Sequence, residues 1–235
     1  MTSKAKPTNE ISRRRRTLQR RLLRWFRAHR TPWPWRAQRD PYCVWVAETM
    51  LQQTRLSAVA PAYERFLARF PTMRALAKAS EDEVLSAWSG LGYYSRARHL
   101  LSAARILTRT NEGRFPSTLE QACSLPGVGP YTAAAVLSIA YGKPHAAVDA
   151  NVRRVLSRWF GLRPEDLGAH KIQRIAEELL PQKEPGNWNE ALMELGQKVC
   201  LPRQPRCEAC PVAALCSYRA GPDRGAVRSA RPPHG

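Results

Sequence analysis

Three clusters of residues have the types and spacings that do chemistry. The first is Leu125-Pro126-Gly127-Val128-Gly129-Pro130-Tyr131-Thr132, followed twenty residues after Gly129 by Asp149 in Val148-Asp149-Ala150-Asn151. Gly127 and Gly129 can take positive φ and let a main chain approach a ligand closely, and Pro130 is pre-set for the first turn of a helix. The N-terminus of such a helix offers unpaired N–H groups to an anion such as phosphate. The same residues also suit a plain tight turn between two helices, and Asp149 by itself suits an N-cap for a helix opening at Asn151.

The second cluster centres on Glu48, a carboxylate among Trp45, Val46, Met50 and Leu51. Burial on such an apolar helix raises a carboxyl pKa toward that of a useful general acid. Residue types alone leave an exposed or helix-capping carboxylate as the alternative. The third cluster is Cys200, Cys207, Cys210 and Cys216, a Cys-x6-Cys-x2-Cys-x5-Cys pattern in which four thiols can close around one metal centre. Structural zinc sites usually use two close pairs of ligands, and here a single close pair is flanked by single cysteines. An iron–sulfur cluster also takes four cysteines, so the count leaves both open. Cys43 and Cys123 stand alone in apolar surroundings and are expected to be small buried hydrophobes.

The elements that must position these residues are helices throughout. Periodic segments read as helix, strand-like alternation is missing, and an all-α fold is expected. Ser80-Glu81-Asp82-Glu83 and Ser117-Thr118-Leu119-Glu120 both fit the capping box that opens a helix. The hairpin 117–142 then reads as a helix ending near Leu125, the Pro-Gly-Val-Gly turn, and a second helix from Pro130 to Tyr141 with Gly142 beyond its end. Further helices are expected at about 60–70, 95–110, 151–160, 169–180 and 188–198. The boundaries predicted from these signals are a basic flexible arm at 1–17, a helical core at 18–198, the four-cysteine loop at 199–216 and a disordered tail at 217–235.

Composition narrows the partner. The 235 residues are 43% apolar, enough for a real core, and carry 38 Lys and Arg against 19 Asp and Glu, a net charge of +19. That balance points to a polyanion such as nucleic acid. Residues 1–30 alone hold eleven basic side chains against one acid, Glu10. No run of eighteen apolar residues occurs, so a soluble protein away from membranes is expected, in the cytoplasm and on the nucleoid in a bacterium.

Taken together, these motifs resemble the helix-hairpin-helix DNA glycosylase superfamily and, within it, the MutY-type adenine glycosylases. The similarity is carried by Glu48-Thr49-Met50-Leu51-Gln52-Gln53-Thr54, Gly90-Leu91-Gly92-Tyr93-Tyr94-Ser95-Arg96-Ala97-Arg98, Leu125 to Tyr131, Val148 to Asn151 and the four cysteines, in the expected order from about Trp33 to Cys216. The resemblance implies two helical subdomains with an active-site cleft between them, and a C-terminal loop in which Cys200, Cys207, Cys210 and Cys216 hold a 4Fe-4S cluster, zinc being the weaker alternative.

It also implies roles. Glu48 falls on the acid that protonates adenine, and Asp149 on the aspartate that supports an oxocarbenium-like sugar. Asn151 resembles a hydrogen-bond partner in the same pocket. Tyr131 stands where strand-cutting relatives carry a Schiff-base lysine; no lysine lies between Leu125 and Gly142, so a monofunctional enzyme is expected. Gln53 and Tyr93 match residues that relatives insert into the duplex, Gly127 and Gly129 would grip phosphate, and Arg96, Arg98, Arg153 and Arg154 would contact phosphates. The implied partner is double-stranded DNA with a mismatched or damaged base, bound by a monomer.

Two departures from the family pattern matter. MutY-type enzymes usually continue into a Nudix-like domain that recognises 8-oxoguanine, whereas this sequence stops nineteen residues after Cys216, so that domain is expected to be lacking. Thymine/uracil mismatch glycosylases of the same superfamily are similarly short and also carry a tyrosine at this hairpin position. They are the runner-up, and a catalytically silent module that only grips damaged DNA is the third possibility.

Overall fold

The structure, a computed structural model, describes residues 7–163 and 168–221. The described residues are helical with no strand, as expected. No helix among them is long and apolar enough to cross a membrane. They divide into two compact units, one of residues 31–147 and one that joins residues 1–30 to residues 148–235.

Helix α1 (Pro7–His29) belongs to the discontinuous unit. It corrects the expected flexible arm, because from Pro7 onward the basic stretch is already helix; residues 1–6 lie outside the described residues. The cause is burial on one face, where Ile11, Leu18, Leu22 and Phe26 are almost fully enclosed. Its polar side chains also have fixed partners. Arg15 Nη2 donates to the Leu180 carbonyl at 3.0 Å and Gln19 Nε2 to the Leu179 carbonyl at 2.7 Å, and both acceptors are end carbonyls that a helix leaves unsatisfied.

The continuous unit holds α2 (Pro41–Leu51), α3 (Leu56–Arg69), α4 (Met73–Lys78), α5 (Glu81–Ala87), α6 (Ser95–Thr110), α7 (Leu119–Cys123) and α8 (Pro130–Ile139). Helix α2 is started by Asp40, whose Oδ1 accepts from the N–H groups of Tyr42 and Cys43, with Pro41 at the first helical position. Tyr42 through Met50 are all buried, and so are Thr132 through Ile139 of α8. Helices apolar on every side belong at the centre of a domain. These two lie against each other, with α3 and α6 also packed on α2, and the small residues Ala133, Ala134 and Ala135 allow close approach. Around them Phe66 stacks edge-on to Trp88 at 5.8 Å, and Trp45 meets Phe115 at 5.5 Å.

The discontinuous unit continues with α9 (Ala150–Phe160), α10 (Ala169–Leu179), α11 (Pro185–Lys198) and the short α12 (Ser217–Ala220). Trp159 of α9 and Trp188 of α11 meet edge-on at 6.4 Å in its core, and α1 lies along α10 and α11. Helix α11 opens at Pro185, three residues before the expected start, because proline at the first helical position is already in helical φ. Helix α12 corrects the expected tail at its start: the N–H groups of Arg219 and Ala220 bond back to the Cys216 carbonyl. Residues 222–235 lie outside the described residues.

The capping boxes split. Ser80 and Glu83 form the reciprocal pair, Glu83 N–H donating to Ser80 Oγ at 3.2 Å and Ser80 N–H to Glu83 Oε2 at 2.9 Å. At the second site the cap is Thr118 rather than Ser117. Thr118 is extended and its hydroxyl accepts from Gln121 N–H, while the Ser117 carbonyl accepts from Lys143 Nζ. Thr118→Ala is therefore expected to cost about 1 kcal/mol of stability and Ser117→Ala under about 0.5 kcal/mol, read from the midpoints of urea unfolding; the reverse order would place the cap at Ser117.

Candidate active site

Helices α2 and α8 bring two of the expected residues together. Glu48 is buried at 6% exposure, and the Tyr131 hydroxyl donates to its Oε2 at 2.9 Å. Next to them Gln52 Nε2 donates to Thr132 Oγ1 at 3.1 Å, a second polar tie between the same helices. The buried position excludes the alternative of an exposed or capping carboxylate for Glu48. It is also costly for a carboxyl group unless hydrogen bonds meet it, which is the part Tyr131 plays.

The hairpin places α8 by two glycines of different kinds. Gly127 sits at φ +73°, and a Cβ there would lie 2.7 Å from the His99 Cβ. Gly129 does not take the positive φ expected for it. It caps α8 at φ −84° and ψ 175°, with nothing within 4 Å of a would-be Cβ. That cap has no side chain, so no side-chain oxygen of the cap residue serves the start of α8. Gly127→Ala is expected to cost about 1–3 kcal/mol in urea unfolding because it forces a left-handed Cβ into His99. Gly129→Ala should cost no more than about 0.5 kcal/mol, and equal losses would show that the turn is not held as described.

Gln53 and Tyr93 share an unusual backbone. Both are non-glycine residues in the left-handed region, at φ +55° and φ +46°, which costs an L-residue roughly 1–2 kcal/mol. Both side chains are exposed, Tyr93 at 61%. Arg96, expected to contact phosphate, is instead buried at 9% exposure with its guanidinium turned into the protein. The reason is a set of acceptors gathered around it: Nη1 donates to the carbonyls of Thr49, Met50 and Gln52, and Nη2 to those of Leu91 and Gly92 and to Thr54 Oγ1. Desolvation holds this guanidinium below its ordinary pKa. Arg98 stays at the surface, paired with Glu81 at 2.7 Å.

In the discontinuous unit Asp149 caps α9, its Oδ1 accepting from Val152 N–H at 2.7 Å, and its Oδ2 accepts from Asn151 Nδ2 at 2.8 Å. The next link is one that residue types do not reveal. Arg154, also expected on phosphate, turns inward: Nη2 donates to Asn151 Oδ1 and to the Gly196 carbonyl, each at 2.8 Å, and Nε donates to the Cys200 carbonyl at 2.8 Å. One bonded chain thus runs from Asp149 through Asn151 and Arg154 to the first cysteine of the loop. Gly196 admits it, since a Cβ there would fall 2.6 Å from Asn151 Cβ. A glycine inside a helix costs about 1 kcal/mol against alanine, and that cost is the one signal of the close approach in the sequence.

Cys200, Cys207, Cys210 and Cys216 line one shared hollow together with Arg158, Trp159 and Tyr218. Among the described residues no three His, Cys, Asp or Glu side chains gather as the ligands of a single ion. Arg158 is buried without an ion pair among the described residues. It donates to the carbonyls of Leu201 at 2.6 Å and Pro202 at 2.9 Å, lies 3.4 Å from Cys200 Sγ and 5.0 Å from the Tyr218 ring, and leaves its Nε without an acceptor. A buried cation of this kind suits an anionic group held by thiolates. Burial pushes the free Cys210 thiol up to about 11, so ligation requires a cation that stabilises the thiolate. Of the other cysteines, Cys43 is buried as expected and Cys123 is only half-buried.

Two helices joined by a glycine-bearing hairpin, with a buried carboxylic acid on one unit and a helix-capping aspartate on the other, define a helix-hairpin-helix protein. Residues 46–182 match the family described as HhH-GPD superfamily base excision DNA repair protein, and the chain belongs to it. It is 42% identical over 207 residues to the adenine DNA glycosylase of Mus musculus and 35% identical over 197 residues to that of Buchnera aphidicola subsp. Baizongia pistaciae. Each match covers 83% of this chain but only 40% and 56% of those proteins, so the chain spans about half their length. Among solved structures it is similar to a thermostable thymine-DNA glycosylase, with a TM-score of 0.83 and 33% identity over 89% of this chain and 98% of that one. An endonuclease III–DNA complex shares the fold, with a TM-score of 0.76 and 22% identity over 92% of this chain and 98% of that one.

Proposed function

We propose that the chain is a monofunctional DNA glycosylase that hydrolyses the N-glycosidic bond of a flipped-out, mispaired adenine, opposite 8-oxoguanine or guanine, and leaves an abasic site in double-stranded DNA. The observation that carries the proposal is the buried Glu48 held by the Tyr131 hydroxyl at 2.9 Å. Its support is the similarity to adenine DNA glycosylases over 83% of the chain.

Glu48 is the general acid: its proton goes to the departing adenine, and the electron pair of the glycosidic bond leaves with the base. The Asp149 carboxylate balances the positive charge that develops on the sugar as water adds to it, and Asn151 keeps that carboxylate oriented through the 2.8 Å bond to Oδ2. Tyr131 holds Glu48 and has no amine to attack the sugar, so the strand stays intact. The N-terminal end of α8 beyond Gly129, with the positive end of its helix dipole, binds a backbone phosphate.

Cys200, Cys207, Cys210 and Cys216 would hold a 4Fe-4S cluster, whose negative charge the buried guanidinium of Arg158 would help offset. Bound there, the cluster cross-links the loop through four thiolate–iron bonds. The purified protein is expected to be brown, with about four irons and four sulfides per chain by chemical analysis. One zinc and no iron would assign the loop to zinc instead.

The activity is tested with duplexes carrying 8-oxoguanine:A, G:A, G:T and G:U, each resolved with and without alkali. Alkali-dependent cleavage of the adenine strand is expected, and Glu48→Gln should slow it by on the order of 10²–10⁴ while duplex affinity survives. Cleavage without alkali would overturn the monofunctional assignment. Excision of thymine or uracil is the second possibility, favoured by the thymine-DNA glycosylase that this chain matches over 98% of its length, and cleavage at T or U would establish it. Bound but uncut DNA in every lane would leave only a damage-binding module.

A further inference from the structure

Gln53 and Tyr93 are two of the four non-glycine residues with positive φ among the described residues, and both lie beside the same buried guanidinium. The acceptors of Arg96 bracket them. Thr49, Met50 and Gln52 supply carbonyls just before Gln53, Thr54 supplies its hydroxyl just after, and Leu91 and Gly92 supply carbonyls just before Tyr93. Thr54 Oγ1 also bonds the Gln52 carbonyl at 3.2 Å, and Trp88 Nε1 bonds the Gly92 carbonyl at 3.2 Å. The guanidinium centre lies 5.5 Å from the ring of Tyr93 and 5.5 Å from that of Trp88.

This arrangement is expensive in isolation. Arg96 is buried, forms no ion pair among the described residues, and leaves its Nε without an acceptor. A buried cation paired only with carbonyl dipoles does little for stability compared with an apolar side chain of its size. What it does supply is two parallel rows of donors on one rigid plane, which is how a single side chain can hold two separate turns at once. Lysine, a point charge with three donors on one atom, cannot reach both sets.

We propose that Arg96 is the positioning residue that locks Gln53 and Tyr93 in their left-handed conformations, so that the two exposed side chains stand as a pre-formed pair of wedges for the DNA base stack. The proposal rests on the DNA-glycosylase function above and adds to it a cause for base extrusion. A wedge already in place loses less conformational freedom on insertion, and that saving appears as a larger extruded population.

The test is a cycle of Arg96→Lys in two backgrounds, the parent chain and the Gln53→Ala/Tyr93→Ala variant. Extrusion is read as the fluorescence rise of 2-aminopurine placed at the target adenine, alongside the single-turnover excision rate and thermal unfolding. In the parent, Arg96→Lys is expected to lower the extruded population by on the order of tenfold. In the wedge-less background it should cost nothing further, because the groups it acts through are gone. An equal loss in both backgrounds would mark Arg96 as merely structural and overturn the proposal. If Arg96→Lys does not fold, Thr54→Val, which removes one of the six acceptors, is carried through the same cycle with a smaller loss in the parent alone. A parent chain that excises no base from any of the four duplexes would overturn the glycosylase function itself, and the role of Arg96 with it.

Discussion

The contact between α2 and α8 is the constraint on which the rest of the continuous unit depends. Each helix is apolar on every side, so neither has a solvated face to turn outward, and each must be surrounded. Trp45, Met50 and Leu137 fill that interior, and Ala133 to Ala135 bring the two backbones close. Glu48 and Tyr131 ride on these helices, with Thr49, Thr132 and Ser138 among the other polar side chains there. A carboxyl group in such a place needs a partner, and the phenol at 2.9 Å is one that an aliphatic side chain could not replace. Stability and polar placement meet here: the packing that buries Glu48 is also what requires Tyr131 beside it.

A second theme is the use of arginine without carboxylates. Arg96, Arg154 and Arg158 are each at least half-buried, and none forms an ion pair among the described residues. Each gathers backbone carbonyls from segments with no regular secondary-structure partner: the turns around 49–54 and 91–92, the end of α11 at Gly196 and Cys200, and the loop at Leu201 and Pro202. Carbonyls in such turns must find donors once they leave water. A planar fork of five N–H groups satisfies several of them from one position, which explains why arginines expected at a phosphate surface point inward. In the discontinuous unit the same device links the cysteine loop to Asn151 and Asp149, so the geometry of that carboxylate depends on the loop.

The parts legible in the sequence share a common range. The Ser80–Glu83 capping box, the proline-led start of α8, the Asp149 cap and the span of α6 all act within about one helical turn, where hydrogen-bond partners are a few residues apart. Thr118 shows the limit even there: Ser117 and Thr118 both carry a hydroxyl, and the choice between them turned on Lys143 claiming the Ser117 carbonyl from twenty-six residues away. Gly127 and Gly129 look alike as residue types, yet only Gly127 needs left-handed φ. The basic stretch of α1 reads as an unstructured arm because its charges are obvious, while the carbonyls that hold it belong to α10, some 160 residues further on.

By itself the sequence determined the helical class, the hairpin, the candidate carboxylates and the four-cysteine pattern, because periodicity, caps and motif spacing are local properties of the chain. Only the tertiary structure decided that α1 closes onto the C-terminal helices, that Glu48 is buried against Tyr131, and that Arg96 and Arg154 serve the protein's own backbone. The physical reason is that a buried polar group is defined by its partner. Partners drawn from segments forty or more residues apart exist only once the chain has folded.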